Sequence, residues 1–212
     1  MPFATDRDLL AFEPNLFRDI SWAGQRRINV TDAAIAGTTL TSASADFTSA
    51  DINAGHVALV SLISLEIIAR LSATQLTVSL VRDDPTAPAL PPPALTGAAL
   101  SITTFGPQIA SIHDQLLRAL GIEPTDPNAS PGPANITNPA AIARLEAIGA
   151  LHLIFTGAAA LAPDQDRLAL KAQMYRDRFA ALRGRLAVGV DLDGDGLPEA
   201  TRRLNTIQFV RA

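Results

Sequence analysis

The stretch HVALVSLISLEIIARLSATQLTVSLV, His56 to Val81, decides how this chain is read. It is rich in Val, Ile, Leu and Thr and alternates over short distances, which marks strands rather than helix. Turn chemistry brackets and divides it: NAGH, Asn53 to His56, and LSATQ, Leu71 to Gln75. Upstream, GTTLTSAS from Gly37 to Ser44 has the same character. Downstream, DDPTAPALPPPALTG from Asp83 to Gly97 is too proline-rich for a ladder, since proline donates no backbone hydrogen bond. A last strand, ALSITTF, follows at Ala99 to Phe105. Short strands with regularly spaced turns predict a small antiparallel barrel or sandwich over residues 28–105, with a proline-rich loop at 83–97.

Helical patterns flank this module. Thr5 is placed to cap a short helix through DRDLLAF, and Leu16, Phe17, Ile20 and Trp22 are core candidates beyond Pro14. After Pro107, the residues Ile109, Ile112, Leu116, Leu117 and Leu120 recur on one helical face, and Gly121 stands where a left-handed residue ends a helix. A loop, EPTDPNASPGPANITNP, separates this from a second helix starting at Asn138 and Pro139. That helix carries the apolar run AIGALHLIFTGAAALAP, Ala147 to Pro163, which is short for a membrane span and reads as buried. Asp164 can cap a third helix with a seam of Leu168, Ala172, Tyr175, Phe179, Leu182 and Leu186. Arg167, Lys171, Arg176, Arg178, Arg183 and Arg185 lie on its other faces.

The fold class expected is α+β: a helical bundle core, an inserted β-barrel or sandwich, and a C-terminal β-hairpin or strand. Residues 1–27 form an N-terminal segment of the core, 28–105 the insertion, 106–187 the bundle and 188–212 the C-terminal segment.

Composition narrows the chemistry. The net charge is −4 and lysine occurs once, so a basic nucleic-acid footprint is missing. With no cysteine, disulfides, thiolate zinc sites and cysteine nucleophiles are excluded. MPFATDRDLLAFEP at the start lacks the basic end and apolar run of a secretory signal. His56, His113 and His152 stand in separate elements without zinc-site spacing. His113 beside Asp114 could be half of a catalytic dyad, but no nucleophile elbow accompanies it, and a partly exposed helix surface accounts for it. His152 reads as a satisfied core histidine. No phosphate-binding glycine motif occurs. No enzyme is expected.

One stretch carries candidate chemistry: DLDGDGLPE, Asp191 to Glu199. Alternate oxygens from Asp191, Asp193 and Asp195, with glycine after the third, match the front of a calcium loop. An EF-hand would need an acid where Arg202 stands, whereas a nine-residue loop is completed by Glu199. A plain hairpin turn uses the same Asp-Gly pairs for backbone geometry alone. Both readings stay open, with LAVGV before the loop and NTIQFV after it read as strands.

The pattern as a whole resembles structural proteins of tailed bacteriophages and gene-transfer particles. The resemblance rests on DRDLLAFEPNLFRD, on GTTLTSASADFTSADINAGHVALV with ARLSATQLTVSLVR, and on IASIHDQLLRALGI and YRDRFAALRGRLAVGVDLDGDG. The nearest type is the head–tail adaptor, or connector, of the neck. The resemblance implies a ring of usually twelve copies, docked on the portal protein and meeting a head-completion (stopper) or tail protein. Double-stranded DNA would pass through its lumen without sequence-specific contact, and no membrane would be involved. It implies a place in the virion neck, reached from the host cytoplasm during assembly. The family's terminal segment pairs with the portal, a role that falls on Leu204, Asn205, Thr206, Ile207, Gln208, Phe209, Val210 and Arg211. The aspartate loop, with calcium or without any cofactor, would aim that segment away from the bundle. A tail-terminator or tail-completion protein is the neighbouring alternative, and a calcium-dependent binding module is the alternative from another class.

Overall fold

The computed structural model describes residues 1–124, 131–161 and 165–204. The chain divides into two compact units: Thr5–Gly106, and Met1–Ala4 together with the chain from Pro107 onward. The architecture is α+β.

The first unit is a closed, all-antiparallel, six-stranded barrel. Its strands are β1 (Arg26–Ala36), β2 (Thr39–Thr41), β3 (Val57–Val60), β4 (Ile63–Arg70), β5 (Gln75–Ser79) and β6 (Leu95–Thr103), in the order β1-β2-β5-β4-β3-β6, with β6 returning to β1. Of the two architectures expected from sequence, barrel and sandwich, the barrel is the one formed. Closure leaves no unpaired strand edge. Inward strand positions Leu40, Leu65, Leu76 and Ile102 are apolar and fully buried, and Phe47 and Ile52 from the β2–β3 connection join the same core. Each contributes about 1.5–3 kcal/mol relative to an exposed side chain.

Two boundaries differ from the sequence reading. Strand β6 begins at Leu95, inside the segment 83–97 expected to be loop, because Ile35 pairs with Leu95 and Ala33 with Ala98 across a bulge. Gly97, at φ +59°, supplies the left-handed residue there. The segment 5–27, expected to belong to the helical core, is part of the barrel unit. It comprises the short helices α1 (Asp6–Leu10) and α2 (Leu16–Asp19) and a 3₁₀ turn at Ala23–Gln25.

The reason is local bonding. The Arg7 amide donates to the Gly55 carbonyl at 2.9 Å, and the Phe105 amide donates to the Asp6 carboxylate at 2.7 Å. Phe17 and Trp22 pack on Phe105, with ring centroids 5.2 and 5.6 Å away. As the sequence implies, Thr5 precedes α1 and Leu16, Phe17 and Ile20 are buried.

A buried ion cluster ties α1 and the proline-rich loop to the barrel wall. Glu66, on β4, receives the Arg7 guanidinium on one oxygen and the Arg82 guanidinium on the other. Arg7 also donates to the Arg82 carbonyl and Arg82 to the Ala87 carbonyl. A carboxylate in the wall of an apolar barrel is tolerated only with such pairing.

The second unit contains α3 (Gly106–Ala119), α4 (Pro139–Leu161), α5 (Gln165–Arg183) and a hairpin of β7 (Ala187–Val190) and β8 (Ala200–Arg203). Helix α3 buries Ile109, Ile112, Leu116 and Leu117, and Gly121 ends it at φ +69°. Helix α4 is long and apolar enough to cross a membrane by length and composition, and more than half of its most apolar stretch is buried within the protein. It packs along α5, where Phe155 and Tyr175 stack at 5.7 Å. Gly149 marks a close approach. A Cβ there would stand 2.8 Å from the Phe179 ring and 2.9 Å from Ile112, so only glycine lets the three helices meet. The expected α5 seam is present through Ala172, Tyr175 and Phe179, while its proposed cap, Asp164, lies outside the described residues.

Candidate functional site

The acidic loop between β7 and β8 brings its four expected residues together. Carboxylate oxygens of Asp191, Asp193, Asp195 and Glu199 all lie within 4.8 Å of one another. The backbone makes this possible through two left-handed glycines, Gly194 at φ +85° and Gly196 at φ +87°. Asp191 accepts the Gly194 amide at 2.6 Å on one oxygen and the Gly196 amide at 2.9 Å on the other. Those two amides, Gly194 first, hold the Asp191 carboxyl below its ordinary pKa. Asp193 accepts the Asp195 amide at 3.2 Å, Asp195 accepts the Leu197 amide at 2.7 Å, and Glu199 accepts the Leu192 amide at 2.6 Å.

The loop is thus closed by its own backbone donors, which is the plain-turn function of Asp and Gly. The same carboxylates offer an all-oxygen donor set that can hold a hard cation. Opposite ligands around an ion with bonds of 2.3–2.6 Å stand roughly 4.6–5.2 Å apart, which matches the spread seen here. Both readings of the sequence therefore have a physical basis in one loop. Asp191 is largely buried and the other three acids are exposed.

The hairpin is fixed from both sides. The Gly189 amide donates to the Asn138 side chain at 3.1 Å, which in turn donates to the Ala187 carbonyl at 3.0 Å. The Thr137 amide donates to Gly189 at 3.0 Å and the Asp191 amide to Asn135 at 2.8 Å. On β8, Arg202 donates to the Leu120 and Gly121 carbonyls, satisfying the C-terminal end of α3.

One expectation changes here. The strand opposite β7 is Ala200–Arg203, directly after Glu199, rather than NTIQFV, because the loop closes within nine residues. Arg202 holds β8 onto α3. Of the expected docking residues, Leu204 is a half-buried turn residue, and Asn205, Thr206, Ile207, Gln208, Phe209, Val210 and Arg211 lie outside the described residues.

The histidines remain apart. His56 sits in the turn expected for it, against Asn53. His152 donates to the Ala172 carbonyl at 3.0 Å and is satisfied. His113 corrects the sequence reading. It is buried instead of partly exposed, and it bonds Glu146 at 2.7 Å. The second Glu146 oxygen accepts the amides of Phe3 at 2.9 Å and Ala4 at 2.7 Å, and Phe3 sets its ring edge-on to His113.

Sequence reasoning passed over this cluster, the Glu66 cluster and Asp6. Asp6 is 3% exposed, and burial pushes its carboxyl up to about 6, against the Phe105 amide and the Thr104 hydroxyl, which pull it down. A signal did exist for the glutamates: Glu66 and Glu146 are each a lone acid inside an apolar run, ISLEIIA and LEAIGAL.

No family model matches the chain, and no curated protein or solved structure matches it.

Proposed function

We propose that this chain is a non-enzymatic structural protein of a phage-like particle: a ring-forming head–tail adaptor that docks on the portal and continues the DNA channel toward the tail. The observation that carries the reading is the order of parts. A closed antiparallel barrel is inserted between Ala4 and Pro107 of a helical unit that carries a pinned hairpin after its helices. The sequence resemblance rests on a similar order, a β module ahead of helices and a terminal segment, with the helices standing for the adaptor's bundle. The mildly acidic balance suits a lumen through which DNA slides, since dense Lys and Arg would grip phosphates. In this reading Leu204 to Arg211 add a strand to the portal, with backbone bonds giving affinity and alternate side chains specificity. The chain works in the neck of the virion as one of about twelve copies, a number that comes from the family resemblance. Imaging it with a candidate portal tests this: an adaptor gives a ring on the portal, and a tail-terminator or tail-completion protein gives a ring on the tail tube instead.

A second reading is favoured by one observation, the convergence of four carboxylates within 4.8 Å. In it the loop binds calcium and the protein is a calcium-dependent binding module. Calcium-dependent melting without any assembly would favour this over the adaptor.

A further inference from the structure

Beside the hairpin, the first turns of α4 and the end of α5 enclose an open groove of about 500 Å³. Its floor is apolar, made by Ala141, Leu145, Leu182 and Leu186, and its rim carries Arg144 and Arg185. Neither guanidinium has a partner among the described residues. An apolar floor between two free cations selects an acidic segment bearing exposed aliphatic side chains.

The chain itself supplies such a segment. In the loop Asp191–Glu199, Leu192 is 48% and Leu197 64% exposed, and the carboxylates of Asp193, Asp195 and Glu199 face solvent. Within one molecule the two features are displaced. Leu186 closes the groove, and the four residues of β7, about 13 Å of extended chain, intervene before the loop begins. We infer that the acidic loop of one copy docks in the arginine-flanked groove of the next, giving a head-to-tail contact. Leu192 and Leu197 cover the groove's leucines, and Arg144 and Arg185 neutralise carboxylates that otherwise repel one another. A contact between two different patches closes into a ring when its rotation allows. The inference therefore deepens the adaptor reading and rests on it.

The test uses two full-length variants, Arg144→Glu/Arg185→Glu in the groove and Asp193→Arg/Asp195→Arg in the loop, with masses followed by sedimentation. The wild type is expected to associate, and each variant alone to do so roughly tenfold or more weakly. A mixture of the two pairs the wild-type loop with the wild-type groove and the arginine-bearing loop with the glutamate-bearing groove, so association is expected to return. If the loop variant does not fold, Asp193→Asn/Asp195→Asn keeps the side-chain acceptors the loop needs and removes the charge, with the same loss expected. Wild-type rings that both variants still form would overturn this contact and leave the ring reading standing. A wild type that stays monomeric alone and with a candidate portal would overturn both.

Discussion

His113 and Glu146 meet in the interior of the helical unit, Nδ1 to Oε1 at 2.7 Å, and the same carboxylate holds the amides of Phe3 and Ala4. One acid therefore fastens the first four residues to a helix more than 140 positions away. Replacing Glu146 by Ala leaves two buried donors and a half-buried one without an acceptor, at about 1–3 kcal/mol for each buried donor. Urea unfolding is expected to show a loss of roughly 3 kcal/mol or more, with Glu146→Gln losing less because its amide oxygen still accepts. Equal stability of Glu146→Ala and wild type would show that this fastening contributes nothing.

Asp6 makes stability depend on pH. Its folded-state pKa of about 6 lies above the ordinary 3.8, raised by burial, with His56 and Arg27 close enough to pull it partly back. Between those two values the folded chain holds the proton more tightly than the unfolded chain does. This contribution is fully present below pH 3.8 and is lost as pH rises through about 6, a change of up to about 3 kcal/mol. Asp6→Asn keeps an acceptor for the Phe105 amide and carries no charge to bury. Its stability relative to wild type is expected to rise between pH 4 and pH 7. A pH-independent difference in melting temperature between the two would contradict this.

Ser61 and Leu62 join β3 to β4 with φ of +46° and +75°, a two-residue turn with both residues left-handed. Asn-Gly is the usual occupant, and a leucine in that conformation costs about 1–2 kcal/mol. Leu62 is also 71% exposed, so burial does not offset the strain. Leu62→Gly is expected to raise the stability of the barrel by about 1 kcal/mol in chemical denaturation. A loss of stability would mean that Leu62 makes contacts the isolated chain does not reveal.

The acidic loop separates its two possible functions in a calcium titration. If it holds a cation, millimolar calcium raises the melting temperature by mass action. Asp193→Asn/Glu199→Gln is then expected to abolish that rise while leaving Asp191 bound to Gly194 and Gly196. If the residues serve the turn alone, calcium leaves wild type and variant unchanged.

The sequence made the barrel legible where turns carry glycine or polar residues. The turns at Asn53–His56 and Leu71–Gln75 fall where expected. It hid the turn at Ser61–Leu62, because neither residue signals a left-handed backbone and the strands on both sides read as one apolar run. The start of β6 was hidden by neighbouring prolines. The four acids of the loop were legible because their chemistry is local, with every donor and acceptor within nine residues. The clusters at Glu66 and Glu146 were not. Their partners lie 16, 33, 59 and more than 140 positions away, and only the folded chain brings them together.

The ring is tested most directly by cryo-electron microscopy of this protein mixed with a candidate portal. An adaptor gives closed rings seated on the portal, with Leu204 to Arg211 paired to portal strands and DNA-sized space through the centre. A chain that remains single and unbound beside intact portals would contradict the adaptor function.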